Sequence, residues 1–140
     1  MLVEVKGRVF SGIGKGGYYV GHEEYQKRFR QALGYAPYPG TLNLKIEDSE
    51  SVERLYRVRS SGGVKIDGFK AGSESFSSLS CVGGEMRGQL ITLLFIDVTH
   101  YNESVVELIS PVYLRGKFGL KDGDAVSFSL ETPPPSTGKP

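Results

Sequence analysis

The sequence lacks most of the features that would assign it to a specialised class of protein. It has no tryptophan and one cysteine, Cys81, which excludes an internal disulfide and any cysteine-based zinc cluster. No segment approaches the roughly 18 consecutive apolar residues that a membrane-spanning helix needs. The formal net charge is only +1, so no overall basic field indicates nucleic-acid binding. These absences predict a cytoplasmic protein that binds small molecules, with no nucleic-acid or membrane partner.

Glycine is abundant, with 19 residues among 140. The glycines separate short runs of β-branched and aromatic residues, which is typical of tight turns between short strands. Alternation predicts strands over residues 41–46 and 105–109 and through Val126, Phe128 and Leu130, and the apolar run at 89–98 predicts a central strand. About seven short strands without regular strand–helix alternation favour a mainly β protein with a closed or nearly closed barrel.

Two short helices are predicted beside these strands. Tyr25 and Phe29 share one face of a helix over residues 23–33, which ends at Gly34. Ser110 and Pro111 are typical of the N-cap and first residue of the second helix. The segment that follows residue 48 could also begin as a short helix.

Three other segments give weaker signals. Residues 18–20 predict a short strand, because Tyr18, Tyr19 and Val20 are all common in strands. Residues 71–84 are polar and rich in glycine, and they predict a connection with a weak strand near 79–82, a candidate for a mobile flap. Residues 132–140 have no apolar side chains to bury and predict a disordered tail.

Four glycines surround one lysine in the stretch Gly12-Ile13-Gly14-Lys15-Gly16-Gly17. The stretch is not a P-loop, because no Gly-Lys-Ser/Thr ends it, and the strand predicted after it argues against a dinucleotide fingerprint. Glycines can still turn successive backbone N–H groups toward one anion, and Lys15 adds a positive charge. The stretch is therefore either a phosphate-binding loop or a mobile hairpin loop.

A few polar side chains on predicted strands could carry chemistry. Thr41 and Asn43 project two neutral oxygens to one side of a strand. These oxygens could bind Mg²⁺ if phosphates and waters complete its coordination shell, or they could belong to an ordinary exposed strand face. Glu107 lies within an apolar strand, so it either faces solvent or accepts a hydrogen bond from a ligand. Cys81 has no neighbouring histidine and is predicted to be a small packed residue rather than a nucleophile.

The order of these motifs carries a resemblance to a known family. The stretch "SGIGKGGYYV", a helix, "GYAPYPGTLNLKI" and then "VVELISPVYLRGKFGLKDGDAVSF" closely resemble the archaeal CTP-dependent riboflavin kinases, up to about Leu130. The resemblance implies a single six-stranded cradle-loop β-barrel over residues 1–131, and the chain looks like the catalytic domain by itself. It also implies transfer of the γ-phosphate of CTP to the 5′-hydroxyl of riboflavin, giving FMN and CDP.

The same resemblance implies roles for individual residues. Thr41 and Asn43, which match the family's T-L-N, would hold Mg²⁺ and with Glu107 form the catalytic group. Thr99 and Glu107 would contact riboflavin, with Glu107 orienting the attacking hydroxyl. Contacts to CTP would come from Gly12, Ile13, Gly14, Lys15, Gly16 and Gly17 around the phosphates and from Val112, Tyr113, Leu114 and Arg115 at the cytidine.

Two other readings remain open for this sequence. One is a barrel that binds flavin or nucleotide without catalysis, as a sensor. The other is a nucleic-acid-binding barrel of the swapped-hairpin type, which the ending "LKDGDAVSF" resembles, although the near-zero net charge argues against it. The chain is expected to be a monomer.

Overall fold

The structure is a computed structural model, and it describes residues 1–97 and 104–132. The predicted flavin contact Thr99 and most of the predicted tail lie outside the described residues. The elements in chain order are β1 Leu2–Phe10, α1 Gly16–Val20, α2 Glu23–Leu33, β2 Leu42–Lys45, α3 Ser49–Ser60, β3 Val64–Ile66, β4 Phe69–Ala71, β5 Glu74–Phe76, β6 Leu79–Met86, β7 Gln89–Ile96, β8 Val105–Ile109, α4 Leu114–Phe118 and β9 Ala125–Glu131.

Six strands form a closed antiparallel barrel. Their order is β6-β7-β8-β2-β1-β9, and β9 pairs back onto β6, so the ring closes. Strand β3 adds to the outside edge of β6, and β4 and β5 form a separate hairpin. The predicted mainly β, six-stranded barrel is confirmed, with four short helices rather than two among the described residues.

Glycine allows the barrel to close between β6 and β9. A Cβ atom on Gly84 would lie 2.0 Å from the Ser129 carbonyl oxygen, whereas one on the neighbouring Gly83 would meet nothing within 4 Å. Gly84 pairs with Leu130 at this position. A residue without a side chain is therefore required where the two backbones approach each other most closely.

Alternation along the strands separates two apolar clusters. The inward residues fill the barrel with mostly aliphatic side chains together with Phe95 and Phe128, and Leu55 and Val58 of α3 join them. Residues on the outward face of β6, β7 and β8 instead pack with α2 and the β4–β5 hairpin; this outer cluster comprises Val20, Tyr25, Phe29, Ile66, Phe76, Leu79, Cys81, Leu94 and Ile109. The barrel interior is thus a filled core, and a second layer covers part of its outer wall.

Local signals explain the two longer helices. The His22 ring accepts a hydrogen bond from the Glu24 backbone N–H at the start of α2, and Gly34 ends this helix at a left-handed φ of 83°. Asp48 caps α3 by accepting from the Ser51 N–H at 2.9 Å. None of the helices among the described residues is long and apolar enough to cross a membrane.

Some local predictions were wrong. Residues 18–20 belong to α1 rather than a strand, because burying Val20 and packing Tyr19 edge-on against Phe76 outweigh a β preference in so short a segment. The weak strand predicted near 79–82 is part of the longer barrel strand β6, so residues 79–84 of the candidate flap belong to the barrel wall. The second predicted helix begins at Leu114 rather than beside Ser110, whose buried hydroxyl donates to the Leu90 carbonyl at 2.6 Å.

Candidate functional site

A cavity of about 720 Å³ lies against the outer wall of the barrel. Its walls are the loop that follows β1, the outward face of β2 and β8, the α2 and hairpin layer, and the segment that leads into α4. The volume falls in the range of about 300–1,000 Å³ that is typical of small-molecule sites. Because the interior of the barrel is filled, this outer cavity is the candidate ligand site among the described residues.

Strand register sets the chemistry of the barrel wall. Asn43 of β2 pairs with Glu107 of β8, and Glu107 pairs in turn with Leu94 of β7. Their neighbours Leu44 and Leu108 point inward and are fully buried. A row across three strands therefore runs from amide to carboxylate to aliphatic side chain on the outer face.

Three oxygen-bearing side chains meet at the polar end of this row. The Thr41 hydroxyl donates to Asn43 Oδ1 at 3.0 Å and also bonds the Glu107 carboxyl group. Burial raises the pKa of Glu107, and the hydrogen bond from Thr41 opposes that rise only in part. A hydroxyl has one proton to donate, so the two acceptors outnumber it and the cluster is rich in lone pairs.

The glycine loop is packed directly against this cluster. A Cβ atom on Gly16 would lie 2.6 Å from Thr41 Oγ1, while one on Gly17 would meet only the Pro39 carbonyl, at 3.4 Å. Gly14 has a φ of 85°, a left-handed conformation that side chains rarely adopt. The loop sequence thus needs glycine for two separate reasons, a turn at Gly14 and close approach at Gly16.

Aromatic side chains form the opposite end of the cavity. Tyr25 lies edge-on to Phe76, with ring centroids 5.7 Å apart, and its hydroxyl bonds the Ser77 carbonyl. Burial raises the pKa of Tyr25 to about 12, so its hydroxyl stays protonated. The Tyr18 hydroxyl bonds Glu74 and thereby joins α1 to the hairpin. This end offers flat apolar surface with few polar groups.

Charged and aromatic side chains meet at the cavity mouth near α4, where Ser11 and Arg115 line the cavity and Asp122 contacts both of them from outside the lining. Arg115 Nη2 lies 2.7 Å from Asp122 Oδ1, and the Ser11 hydroxyl donates to Asp122 Oδ2 at 2.8 Å. The guanidinium of Arg115, followed by the Ser11 hydroxyl, holds the pKa of Asp122 below its usual range. Tyr38 and Tyr113 stack beside them with ring centroids 5.0 Å apart.

The cavity brings together every predicted site residue that the structure describes. These are Gly12, Ile13, Gly14, Lys15, Gly16, Gly17, Thr41, Asn43, Glu107, Val112, Tyr113, Leu114 and Arg115. Sequence reasoning did not identify Ser11, Tyr38 or Asp122, because pairing between distant segments decides their position. Tyr25 and Phe29 were expected only as the buried face of a helix, and helical spacing carries no signal for a cavity wall.

Carboxylates, histidines and cysteines form no group of three or more that could hold a metal ion within residues 1–97 and 104–132. The donors available in the cavity are instead a hydroxyl, an amide oxygen and one carboxylate. Oxygen ligands of this kind suit Mg²⁺, which keeps several waters and binds through few protein groups when substrate phosphates supply the rest. The residues present fit magnesium and are poorly suited to zinc.

A family model labelled CTP-dep_RFKase and described as domain of unknown function DUF120 matches residues 9–130. The chain belongs to this family. Among its relatives, the riboflavin kinase of Archaeoglobus fulgidus is 44% identical over 128 residues, which cover 91% of this chain and 54% of the relative. The riboflavin kinase of Methanosarcina acetivorans is 36% identical over 125 residues, covering 89% and 52%.

A third relative has a similar relationship to the chain. The riboflavin kinase of Cenarchaeum symbiosum is 36% identical over 129 residues, which cover 91% of this chain and 66% of the relative. The chain spans about half to two thirds of the length of these three relatives. The matched part includes the whole cavity wall from the glycine loop to α4.

Proposed function

We propose that this chain is a CTP-dependent riboflavin kinase, which transfers the γ-phosphate of CTP to the 5′-hydroxyl of riboflavin and yields FMN and CDP. The observation that carries the proposal is one cavity with a glycine loop, an oxygen cluster and an aromatic end, in a chain of this family. Each part matches one requirement of the reaction.

The glycine loop is the proposed site for the phosphates of CTP. Small residues leave backbone N–H groups accessible, and the left-handed Gly14 reverses the chain so that such groups can converge on one anion. Lys15 is exposed beside them and adds a positive charge. Residues 112–115 would contact the cytidine end, where backbone groups could distinguish cytosine from the larger purines.

Thr41 and Asn43 would hold Mg²⁺ together with the phosphates. The ion would neutralise charge on the transferring phosphoryl group. Phosphoryl transfer passes through a loose transition state, so the protein contributes mainly positioning and charge stabilisation. The close packing of Gly16 on Thr41 fixes the loop relative to the oxygen cluster, which supports this arrangement of donor and ligands.

Glu107 would orient the hydroxyl that attacks. Its carboxyl group is half-buried, its pKa is raised by that burial, and it lies at the polar end of the row on the barrel wall. A carboxylate in such a setting accepts a proton more readily than an exposed one. The aromatic end around Tyr25 and Phe76 would pack on the isoalloxazine ring, which leaves the ribityl chain directed at Glu107.

The experiment is an assay for FMN with two nucleotides. Purified protein is mixed with riboflavin, Mg²⁺ and either CTP or ATP, and flavins are separated by chromatography. We expect FMN with CTP and little with ATP. FMN with ATP alone would keep a kinase but reject the choice of nucleotide, and riboflavin binding without FMN from any triphosphate would favour the sensor.

Cytoplasmic location and a monomeric state remain predictions. The buried, unpaired Cys81 is compatible with a reducing compartment. Light scattering on a size-exclusion column would test the monomer directly, and a dimer mass would contradict it.

A further inference from the structure

A carboxylate bridges two parts of the cavity mouth that are distant in sequence. Asp122 Oδ1 accepts a hydrogen bond from Arg115 Nη2 at 2.7 Å, and Asp122 Oδ2 accepts one from the Ser11 hydroxyl at 2.8 Å. Ser11 directly precedes the glycine loop, and Arg115 lies in α4; both line the cavity. The side chain of Asp122 thus connects the loop to α4 across the mouth.

The backbone around Asp122 does not need this side chain for its conformation. The turn is docked on β1 by two backbone bonds, from Val9 N–H to Asp124 O at 2.8 Å and from Gly123 N–H to Val9 O at 2.7 Å. Arg8 Nη1 adds a bond to the Gly123 carbonyl at 2.8 Å. Because these contacts are independent of the Asp122 carboxylate, the carboxylate is available to act on its two partners.

Charge also argues for a role beyond the turn. A carboxylate at the mouth of a cavity that takes a triphosphate would repel the substrate unless its charge were compensated. Here one cation and one hydroxyl compensate it, and Arg115 is 26% exposed at its side chain, so its remaining donors can still reach a ligand. The 2.7 Å charge-assisted bond holds the arginine in one orientation, although the 56% exposure of the Asp122 side chain limits how strongly it does so.

We infer that Asp122 is a positioning residue, which acts through Arg115 and Ser11 to hold α4 and the glycine loop in the arrangement that binds the nucleotide. The inference rests on the proposed function, because it takes the nucleotide as the ligand. Asp122 itself contacts neither substrate in this role. Its removal therefore weakens nucleotide binding and leaves riboflavin binding and the chemical step nearly as they were.

The test compares Asp122→Ala with wild type in steady-state assays and in calorimetric titration with CDP and Mg²⁺. We expect the KM for CTP and the Kd for CDP to rise about three- to fivefold, the loss expected for an ion pair whose carboxylate side chain is 56% exposed. The kcat and the KM for riboflavin should stay within about twofold. Asp122→Glu, which keeps the charge, should recover part of the affinity.

A matched control removes a similar ion pair elsewhere. Glu53 and Arg57 on α3 are also 2.7 Å apart, and neither lines the cavity. Glu53→Ala should leave both Michaelis constants unchanged. A double-mutant cycle then tests whether Asp122 acts through Arg115. In an Arg115→Ala background, the further effect of Asp122→Ala on CDP affinity should be much smaller than in wild type.

The possible results separate the inference from the proposed function. Wild-type protein that forms FMN, with unchanged CTP constants in Asp122→Ala, overturns the inference alone. A fall in thermal stability with parallel loss of riboflavin and CTP binding also overturns it, since that would show a structural role. Wild-type protein that neither binds CDP nor forms FMN removes the proposed function, and the inference with it.

Discussion

The inner and outer faces of strands β2, β8 and β7 differ in chemistry although they share the same backbone. Inward residues such as Leu44 and Leu108 are aliphatic and fully buried in a filled core. Outward residues change from Asn43 through Glu107 to Leu94 over three paired positions. Neighbouring residues of a strand point to opposite faces of the sheet. Polar side chains on the outer face therefore do not enter the apolar core.

The difference shows how a small barrel can carry a site without a hollow interior. Its ligand cavity is made by adding a loop, a helix and a hairpin outside the wall, and these pieces supply the aromatic end. Substitutions on the outer face should therefore change activity, and those on the inner face should change stability. Three predictions test that division, from the largest effect to the smallest.

The largest effect is expected from the double variant Thr41→Ala/Asn43→Ala. Loss of both proposed Mg²⁺ ligands should lower the rate of FMN formation by at least about 1,000-fold, because the metal contributes several kcal/mol to charge stabilisation. Lys45→Ala is the control, since Lys45 shares the outward face of β2 but lies outside the cavity. Circular dichroism should show the same fold in both, and undiminished turnover in the double variant would reject the metal assignment.

The inner face is tested by Leu44→Ala. Leu44 is fully buried, so truncation should lower the free energy of unfolding by about 2–5 kcal/mol through lost burial and a cavity. Urea denaturation gives this difference directly. The fraction that remains folded should keep both Michaelis constants, and a loss below about 0.5 kcal/mol, typical of a surface change, would contradict the assignment of stability to the inner face.

The smallest effect concerns Cys81, an outward residue that is nevertheless buried under the second layer. Burial raises the pKa of its thiol to about 12, whereas an unfolded thiol titrates near about 8.5. The native protein therefore holds this proton more tightly, and its stability should fall as pH rises from about 8.5 toward 12.

Thiol labelling checks the prediction at one pH. At pH 9, a thiol reagent should modify Cys81 slowly in native protein and rapidly in urea, because only the unfolded thiol is exposed and ionised. Cys81→Ala should remove the alkaline loss of stability that belongs to this group. Rapid labelling of the native chain would show that the second layer does not cover the wall there.

Much of the barrel was predictable because its signals are local. Strict alternation located β2 and β9, the apolar run located β7, and the face formed by Tyr25 and Phe29 located α2. Strand β6 was underestimated, since Gly83 and Gly84 look like a loop until Ser129 is known to lie beside them. Packing against Phe76 likewise decided the helical state of α1.

The candidate site was predictable to a different degree. The resemblance indicated the residues proposed for the phosphates, the metal and the cytidine. Alternation alone put Asn43 of β2 and Thr41, which directly precedes this strand, on one side. Neither the resemblance nor the alternation predicts the contacts of Asp122, whose partners Ser11 and Arg115 lie 111 and 7 residues away in sequence. Contacts that depend on the closed ring become visible only with the structure.

The ring closure has a consequence for the way the chain folds during synthesis. Residues 2–8 pair along their whole length with residues 125–131. Strand β6 also pairs with β9, which is the last of the described strands to be synthesised. Although β1 can pair with β2 early, a ribosome must finish nearly the whole described chain before β1 can pair with β9. Topology of this kind, dominated by distant pairings, places folding in the range of milliseconds to seconds. Until then the edge of β1 stays open, and the exposed strand is the stage at which a nascent chain is most vulnerable to association with others.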